Sequence, residues 1–250
     1  MKKLMSFVGA LLLAFFEPAF VALSNWMHRQ GLILGASSFP NGTIFSLGTT
    51  YAAAKIISGI SNANPGVASS TTHGYTDGDI LVISSGWPRM EGRVARVDDS
   101  VTDAFDLEGI DTTSAILYPA GAGAGRAVKV TDFVPFSQVT DSASSGGEQQ
   151  FAQWVYLEDG QQRQRPTFKN ARSLQLTLDY DPALAWHDTL VNADLLNTPH
   201  VLLATLPNSS KIYYNMYVSF DGEPTFTANQ NQQVVATFSY ANPRSTRYAS

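Results

Sequence analysis

Three stretches in the carboxy-terminal half alternate apolar and polar residues strictly enough to dictate strands. Leu174, Leu176, Leu178 and Tyr180 interleave with Gln175, Thr177 and Asp179. Ile212, Tyr214, Met216, Val218 and Phe220 interleave with Lys211, Tyr213, Asn215, Tyr217 and Ser219, and Val234, Ala236, Phe238 and Tyr240 complete the series. A strand turns successive side chains to opposite faces, so a period of two describes a sheet with one buried and one wetted face. Between the first two stretches, Asp181-Pro182 fits a helix cap followed by proline at the first helical position. Trp186, Leu190 and Ala193 then follow at helical spacing, with Val191 and Leu195 widening the stripe, until Asn197-Thr198-Pro199 ends it. The spacing predicts an antiparallel sheet folded around one helix.

Upstream, short apolar runs are cut by turns. Ile80-Leu81-Val82-Ile83 follows Thr76-Asp77-Gly78-Asp79, Arg93 to Val97 alternates, and Ala104 to Leu107 forms another short run. No helical period appears between Ile56 and Tyr118, which predicts a small all-β module. The glycine-rich stretch Pro119 to Gly125 reads as a flexible joint at its end. Asp141 to Gly147 reads as a low-complexity loop. Gln149 to Leu157 reads as a strand, turned by Glu158-Asp159-Gly160 into a polar, basic loop through Arg163, Arg165 and Lys169. The predicted division is an amino-terminal extension at 1–26, a core domain from 27–55 and 119–250, and an inserted module at 56–118.

The first residues carry Lys2 and Lys3, an apolar run from Leu4 to Phe16, then Glu17 and Pro18. This reads equally as a signal peptide ending near Ser24 or as an extension upstream of a start at Met27. As a membrane span it is poor, because the run is short and Glu17 is costly in hydrocarbon.

The chain offers little to catalysis. It has no cysteine, which removes disulfide scaffolds, cysteine–zinc sites, iron–sulfur clusters and thiol chemistry. His28, His73, His187 and His200 share no metal-ligand spacing, and His187 and Asp188, adjacent on a helix, do not face one another. Gly121 to Arg126 lacks the spacing of a phosphate-cradling loop. Asp77 and Asp79 fit a hairpin turn better than a calcium loop. The paired acids Asp98-Asp99 and Glu158-Asp159 fall in turns. The reading is a non-enzyme with no cofactor and no metal. A formal net charge of −5 argues against gripping phosphates. Only 15% of residues are charged, which suits a surface buried against identical copies. Residue chemistry alone points to a β-rich, self-assembling structural block; the alternative is a secreted or surface-exposed, adhesin-like binding module.

The stretch Phe151-Ala152-Gln153-Trp154-Val155-Tyr156-Leu157-Glu158-Asp159-Gly160, continuing through Arg163, Arg165 and Pro166-Thr167, resembles the tail tube (major tail) protein of long-tailed bacteriophages. Lys169 to Leu174, the Asp179-Tyr180-Asp181-Pro182 junction and the strand–turn–strand from Val201 to Phe220 extend the resemblance over about 148–247. Within the module, Ile60 to Val67, Thr72 to Ile80, Gly92-Arg93 and Phe105 to Gly109 resemble a small β-barrel found beside the first catalytic cysteine half of ubiquitin-activating enzymes and recurring in phage tail proteins. Without cysteine it implies no ubiquitin chemistry.

The resemblance implies a mainly β, tail-tube-type antiparallel sandwich or barrel with one packed helix and an inserted all-β module. It implies stacked hexameric rings whose inner barrel conducts double-stranded DNA during ejection without binding it specifically. Other copies of the chain, a tape measure protein, a tail terminator and a baseplate or tip protein are the implied partners, with no membrane. The implied location is the virion tail, assembled in the host cytoplasm, and a start at Met27 is favoured. Trp186, Leu190 and Ala193 are expected to pack the helix on the sheet. Gln175, Thr177, Asp179, Thr237 and Ser239 are expected to face the lumen. Arg163, Arg165, Lys169 and Arg172 are expected to contact the next ring, and the module is expected on the outside.

Overall fold

A computed structural model describes residues 41–229 and 231–249. The expectations for the extension 1–26 and for residues 27–40 lie outside the described residues. Strands β1 (Ile44–Tyr51), β2 (Lys55–Ile57), β3 (Gly59–Ile60), β4 (Gly66–Ser69), β5 (Ile80–Ser85), β6 (Arg93–Val101) and β7 (Ala104–Leu107) come first. The long β8 (Gly125–Pro135), β9 (Val139–Ser145), β10 (Gln149–Val155), β11 (Gln162–Lys169) and β12 (Ser173–Asp179) follow. Helix α1 (Ala185–Leu196) precedes β13 (His200–Thr205), β14 (Lys211–Phe220), β15 (Gln233–Tyr240) and β16 (Thr246–Tyr248). The fold is mainly β: a 14-stranded antiparallel sheet, a separate β10–β11 hairpin and, among the described residues, one α-helix.

In one half the strand order is β8-β1-β13-β14-β15-β12-β9. The period-two pattern places Leu176, Leu178, Val218, Phe220, Ala236 and Phe238 on one face, where they pack against Trp186, Leu190 and Ala193 of α1. All three helix residues are buried, and burial of this apolar area is what holds the helix down. The helix begins at Ala185, three residues later than the sequence predicts. Asp181 spends its carboxylate on the Ala183 N–H (3.1 Å) in the preceding turn, and Leu184, still extended, is the N-cap. Leu195 does not widen the stripe: it is 75% exposed, because five residues past Leu190 it has rotated about 140° away from the sheet. Asn197, in the left-handed conformation, ends the helix.

The other half is closed. Its order is β3-β4-β7-β6-β5-β8, and β2, separated from β3 by Ser58 alone, pairs with β8. The path therefore returns on itself as a small barrel around Leu81, Ile83, Trp87, Phe105, Leu107 and Ile110. Tyr75 meets Phe105 edge-on and donates its hydroxyl to the Ala127 carbonyl (3.0 Å). The glycine-rich stretch read as a joint is instead packed at Gly123 and Gly125. A Cβ on Gly125 would overlap the Ser84 carbonyl, and one on Gly86 would stand 2.5 Å from the Ala122 oxygen, so glycine is needed for close approach. Trp87 Nε1 donates to the Pro119 carbonyl (2.7 Å), anchoring the same stretch.

β8 joins the halves, pairing with β5 and β2 along one length and with β1 along another. The chain end seals the seam. Tyr248 is buried with Val94, Ile80, Val130, Val201 and Tyr213; its hydroxyl accepts the Arg96 N–H (2.7 Å), and the Arg96 guanidinium lies 4.4 Å from its ring centre. Asn215 donates to the Gly92 carbonyl (2.8 Å) and Asn242 to the Glu91 carbonyl (2.6 Å), tying the same end of β6 to the helix-backed half.

Two segments read as loops are strands. The serine-rich run forms β9, paired with β12 at the sheet edge. The basic run forms β11, paired with β10.

Candidate assembly surfaces

Along β9, β12, β15 and the second half of β14, the face turned away from α1 is polar apart from the exposed Val235 and Ala143. Along β8, β1, β13 and the start of β14 that face is instead packed around Val130, Val201 and Tyr213. Register places Gln175 opposite Thr237, Ser173 opposite Ser239, and Asp179 opposite Gln233. Gln175, Thr177, Asp179, Thr237 and Ser239 therefore share one face. Register extends the patch outward through Ala143 and Asp141 on β9, and through Ser219 and Tyr217 on β14. Gln175 and Ser239 are exposed, Thr177, Asp179 and Thr237 half-buried. Asp179 is held by amides, accepting from Asn231 Nδ2 (3.1 Å) and Gln233 Nε2 (3.4 Å). No lysine or arginine sits at these register positions, so the patch is polar and mildly acidic. The β14 alternation already placed Tyr217 and Ser219 on the polar side; Asp141 was hidden in a run without apolar residues.

Strands β9 and β12 are neighbours, and the chain leaves the sheet between them to build the β10–β11 hairpin. Gly146 and Gly147, at φ +79° and +88°, turn it out. Apart from half-buried Gln149 and Gln150 at its base, the hairpin is exposed, including Phe151, Trp154, Tyr156, Leu157 and Phe168. Pairing puts Trp154 across from Arg163 and Ala152 across from Arg165, on one face. Arg163 forms an ion pair with Asp159 and lies 4.8 Å from the centre of the Tyr156 ring. A lone two-stranded hairpin is marginal in water, and this one shows apolar side chains to solvent. The four basic residues nominated as one loop are thereby divided. Arg163 and Arg165 ride on the hairpin, whereas Lys169 and Arg172 stand at its base, where Arg172 lies 4.8 Å from the centre of the Tyr240 ring.

His73 and His200 take structural places. The His73 ring accepts the Tyr75 N–H at Nδ1 (3.0 Å), leaving Nε2 to donate to the Val101 carbonyl (2.7 Å). His200 Nδ1 reaches the Gly48 carbonyl (3.1 Å). Asp79 accepts the Thr76 N–H (2.9 Å) and pairs with Lys129 (2.7 Å), the work of a turn residue.

Among solved structures, the chain is similar to one from the virion of a native gene transfer agent particle. Identity is 10%, the match covers 47% of this chain and 89% of that one, and the TM-score is 0.36. It is also similar to the sheath/tube terminator of an extracellular contractile injection system in its extended state (16% identity, 43% and 84% coverage, TM-score 0.30). The tube-terminating cap of the anti-feeding prophage gives 20% identity, 48% and 83% coverage and a TM-score of 0.30. No curated protein matches the chain. The family model for the phage tail tube protein matches residues 85–250, from the end of β5 through the helix-backed half. With well over half its length under that model, the chain belongs to the phage tail tube protein family, whose members are non-enzymatic structural components of the virion tail.

Proposed function

We propose that six copies of this chain close into a ring, that rings stack into a tube, and that the polar face of β9, β12, β15 and β14 lines its channel. The observation that carries this reading is the asymmetry of the helix-backed sheet, with α1 on one face and an uncovered, cation-free polar patch on the other. Double-stranded DNA passes such a wall without being held, because phosphates meet hydroxyls, amides and carboxylates instead of lysines and arginines. Joining β9 to a neighbouring copy also removes an exposed strand edge, the usual aggregation hazard of an open sheet.

The β10–β11 hairpin reaches the next ring, where Trp154, Phe151 and Leu157 find cover and Arg163 and Arg165 meet acids. The barrel formed by β2 to β8 stays outside the channel, and its likeness to the barrel of ubiquitin-activating enzymes is one of fold alone. Assembly takes place in the host cytoplasm, and tape measure, terminator and tip proteins meet the tube.

Negative-stain microscopy of the purified protein tests the reading: rings or hollow tubes support it, and a lone particle at high concentration sinks it. The channel assignment has a separate check. The chain has no cysteine, so Thr237→Cys carries a unique thiol. A bulky polymer maleimide is expected to label the free subunit readily and the assembled tube only at its ends. Equal labelling of both would place Thr237 outside.

A further inference from the structure

A groove of about 1000 Å³ opens where the β5–β6 turn of the barrel half meets the base of the hairpin. Arg89, Lys169, Arg172 and Arg244 line it beside the Tyr240 ring. All four cations are exposed, and none is in an ion pair among the described residues. No acid among the described residues lines the groove. The acids nearest its lining residues in the chain are bonded elsewhere: Glu91 accepts the Ser85 N–H (3.0 Å), and Glu148 accepts from Asn170 Nδ2 (3.3 Å). Close by, the buried guanidinium of Arg93 is held below its ordinary range, chiefly by burial, with Arg244 adding to the effect.

The opposite charge stands at the far end of β6. Asp98 pairs across the ladder with Asp106, and Asp99 follows in a left-handed turn at φ +43°. Asp106 is raised above the usual carboxylate range by burial and by Asp99 and Asp98 nearby, so the three share one negative field. None of the three has a cationic partner among the described residues.

Strand β6 starts at Arg93 beside the groove and reaches Asp98 five residues on, roughly 17 Å away along an extended strand. That exceeds the Debye length of about 8 Å at physiological salt, and β6 is fixed on both sides by β5 and β7. The chain cannot bring its own acids to its own groove. Two complementary patches at opposite ends of one rigid element make a head-to-tail contact, the kind that generates closed rings.

We propose that the groove of Arg89, Lys169, Arg172 and Arg244 receives the acidic tip formed by Asp98, Asp99 and Asp106 of the neighbouring copy. The contact makes the barrel half a clasp between adjacent subunits of the ring, and it rests on the ring reading above. The tip delivers carboxylates to a site rich in guanidinium donors, where charge-assisted pairing adds geometric specificity.

A charge exchange tests it. Wild-type chain, an Arg89→Glu/Arg172→Glu/Arg244→Glu variant, whose groove is left net negative, and an Asp98→Lys/Asp106→Lys variant, whose tip is left net positive, are purified as full chains. Each is checked for native circular dichroism and sedimented at low and high salt. Each variant alone is expected to lose assembled material at least tenfold. The two mixed in equal amounts are expected to recover it to within about twofold of wild type, because each groove then finds a tip of opposite sign. If Asp106→Lys unfolds the barrel half, Asp98→Lys/Asp99→Lys supplies a tip variant that is still net positive. Normal assembly of either folded variant, or a mixture that stays unassembled, overturns the clasp while leaving the ring reading intact. A wild-type chain that never assembles sinks both.

Discussion

The barrel half and the helix-backed half are built from the same antiparallel strands, yet they handle their surfaces in opposite ways. The barrel closes on itself through β2 and β3 around one apolar interior, in which Trp87, Phe105 and Ile110 are fully enclosed. The helix-backed sheet leaves one face open along β9, β12 and β15, ends among the described residues at the edge of β9 and extends a hairpin bearing exposed aromatic residues. The first arrangement completes a fold. The second leaves an open sheet edge and an uncovered hairpin, the surfaces on which the proposed ring and its stacking depend most directly.

The comparison is broken most severely from within. Trp186→Ala removes the largest buried contact of α1 and is expected to cost about 3–5 kcal/mol, lowering Tm by on the order of 10 °C. Because β8 serves both halves, calorimetry should still show a single transition; two separate transitions would mean that the halves fold independently. Next comes Gly125→Ala, which drives a methyl into the Ser84 carbonyl at the β5–β8 pairing. It is expected to cost about 2 kcal/mol, within the range of overpacked cores, and a thermal melt within 1 °C of wild type would contradict the close approach.

Alkali tests the seam at a comparable magnitude. Burial pushes the Tyr248 and Tyr51 phenols from 10.0 to about 12. The unfolded chain therefore releases these protons first. Their contribution is full below pH 10 and is lost between pH 10 and 12, at roughly 2–3 kcal/mol for each phenol. Tyr248→Phe should flatten the fall of Tm over that interval while lowering Tm at neutral pH, because the Arg96 N–H loses its acceptor. An unchanged slope would show that Tyr248 is not sealed.

The smallest expected effect on stability belongs to the unfinished half. Replacing residues 150–168 by a short glycine–serine link should move Tm by no more than about 2 °C, since nearly all of that hairpin is exposed. The same change should prevent stacking into tubes. A large fall in Tm would mean that the hairpin packs on its own subunit.

How much of this was legible in the sequence depended on whether one face of an element is buried. β12, β14 and β15 were readable because an apolar set alternates with a polar one, and α1 because Trp186, Leu190 and Ala193 recur at its period. β9 was not, because both its faces are exposed and pairing to β12 alone makes it a strand. β11 was misread for the same reason, as its arginines and glutamines resemble a solvated loop until β10 is laid beside it. The glycines at 123 and 125 were read as flexibility, although close packing selects the same residue for the opposite purpose. The polar patch was legible through alternation. The groove was not, since Arg89, Arg172 and Arg244 are distant in sequence and meet only after both halves are built.

The sharing of β8 also limits how the chain can change over time. Sliding that strand by one residue would invert its side chains toward both interiors together, so an adjustment tolerated on one side becomes a defect on the other. The barrel is therefore no interchangeable cassette. Any lineage that lost or replaced it would have to rewrite a strand of the helix-backed sheet in the same step, so the two halves are expected to diverge as a coupled pair.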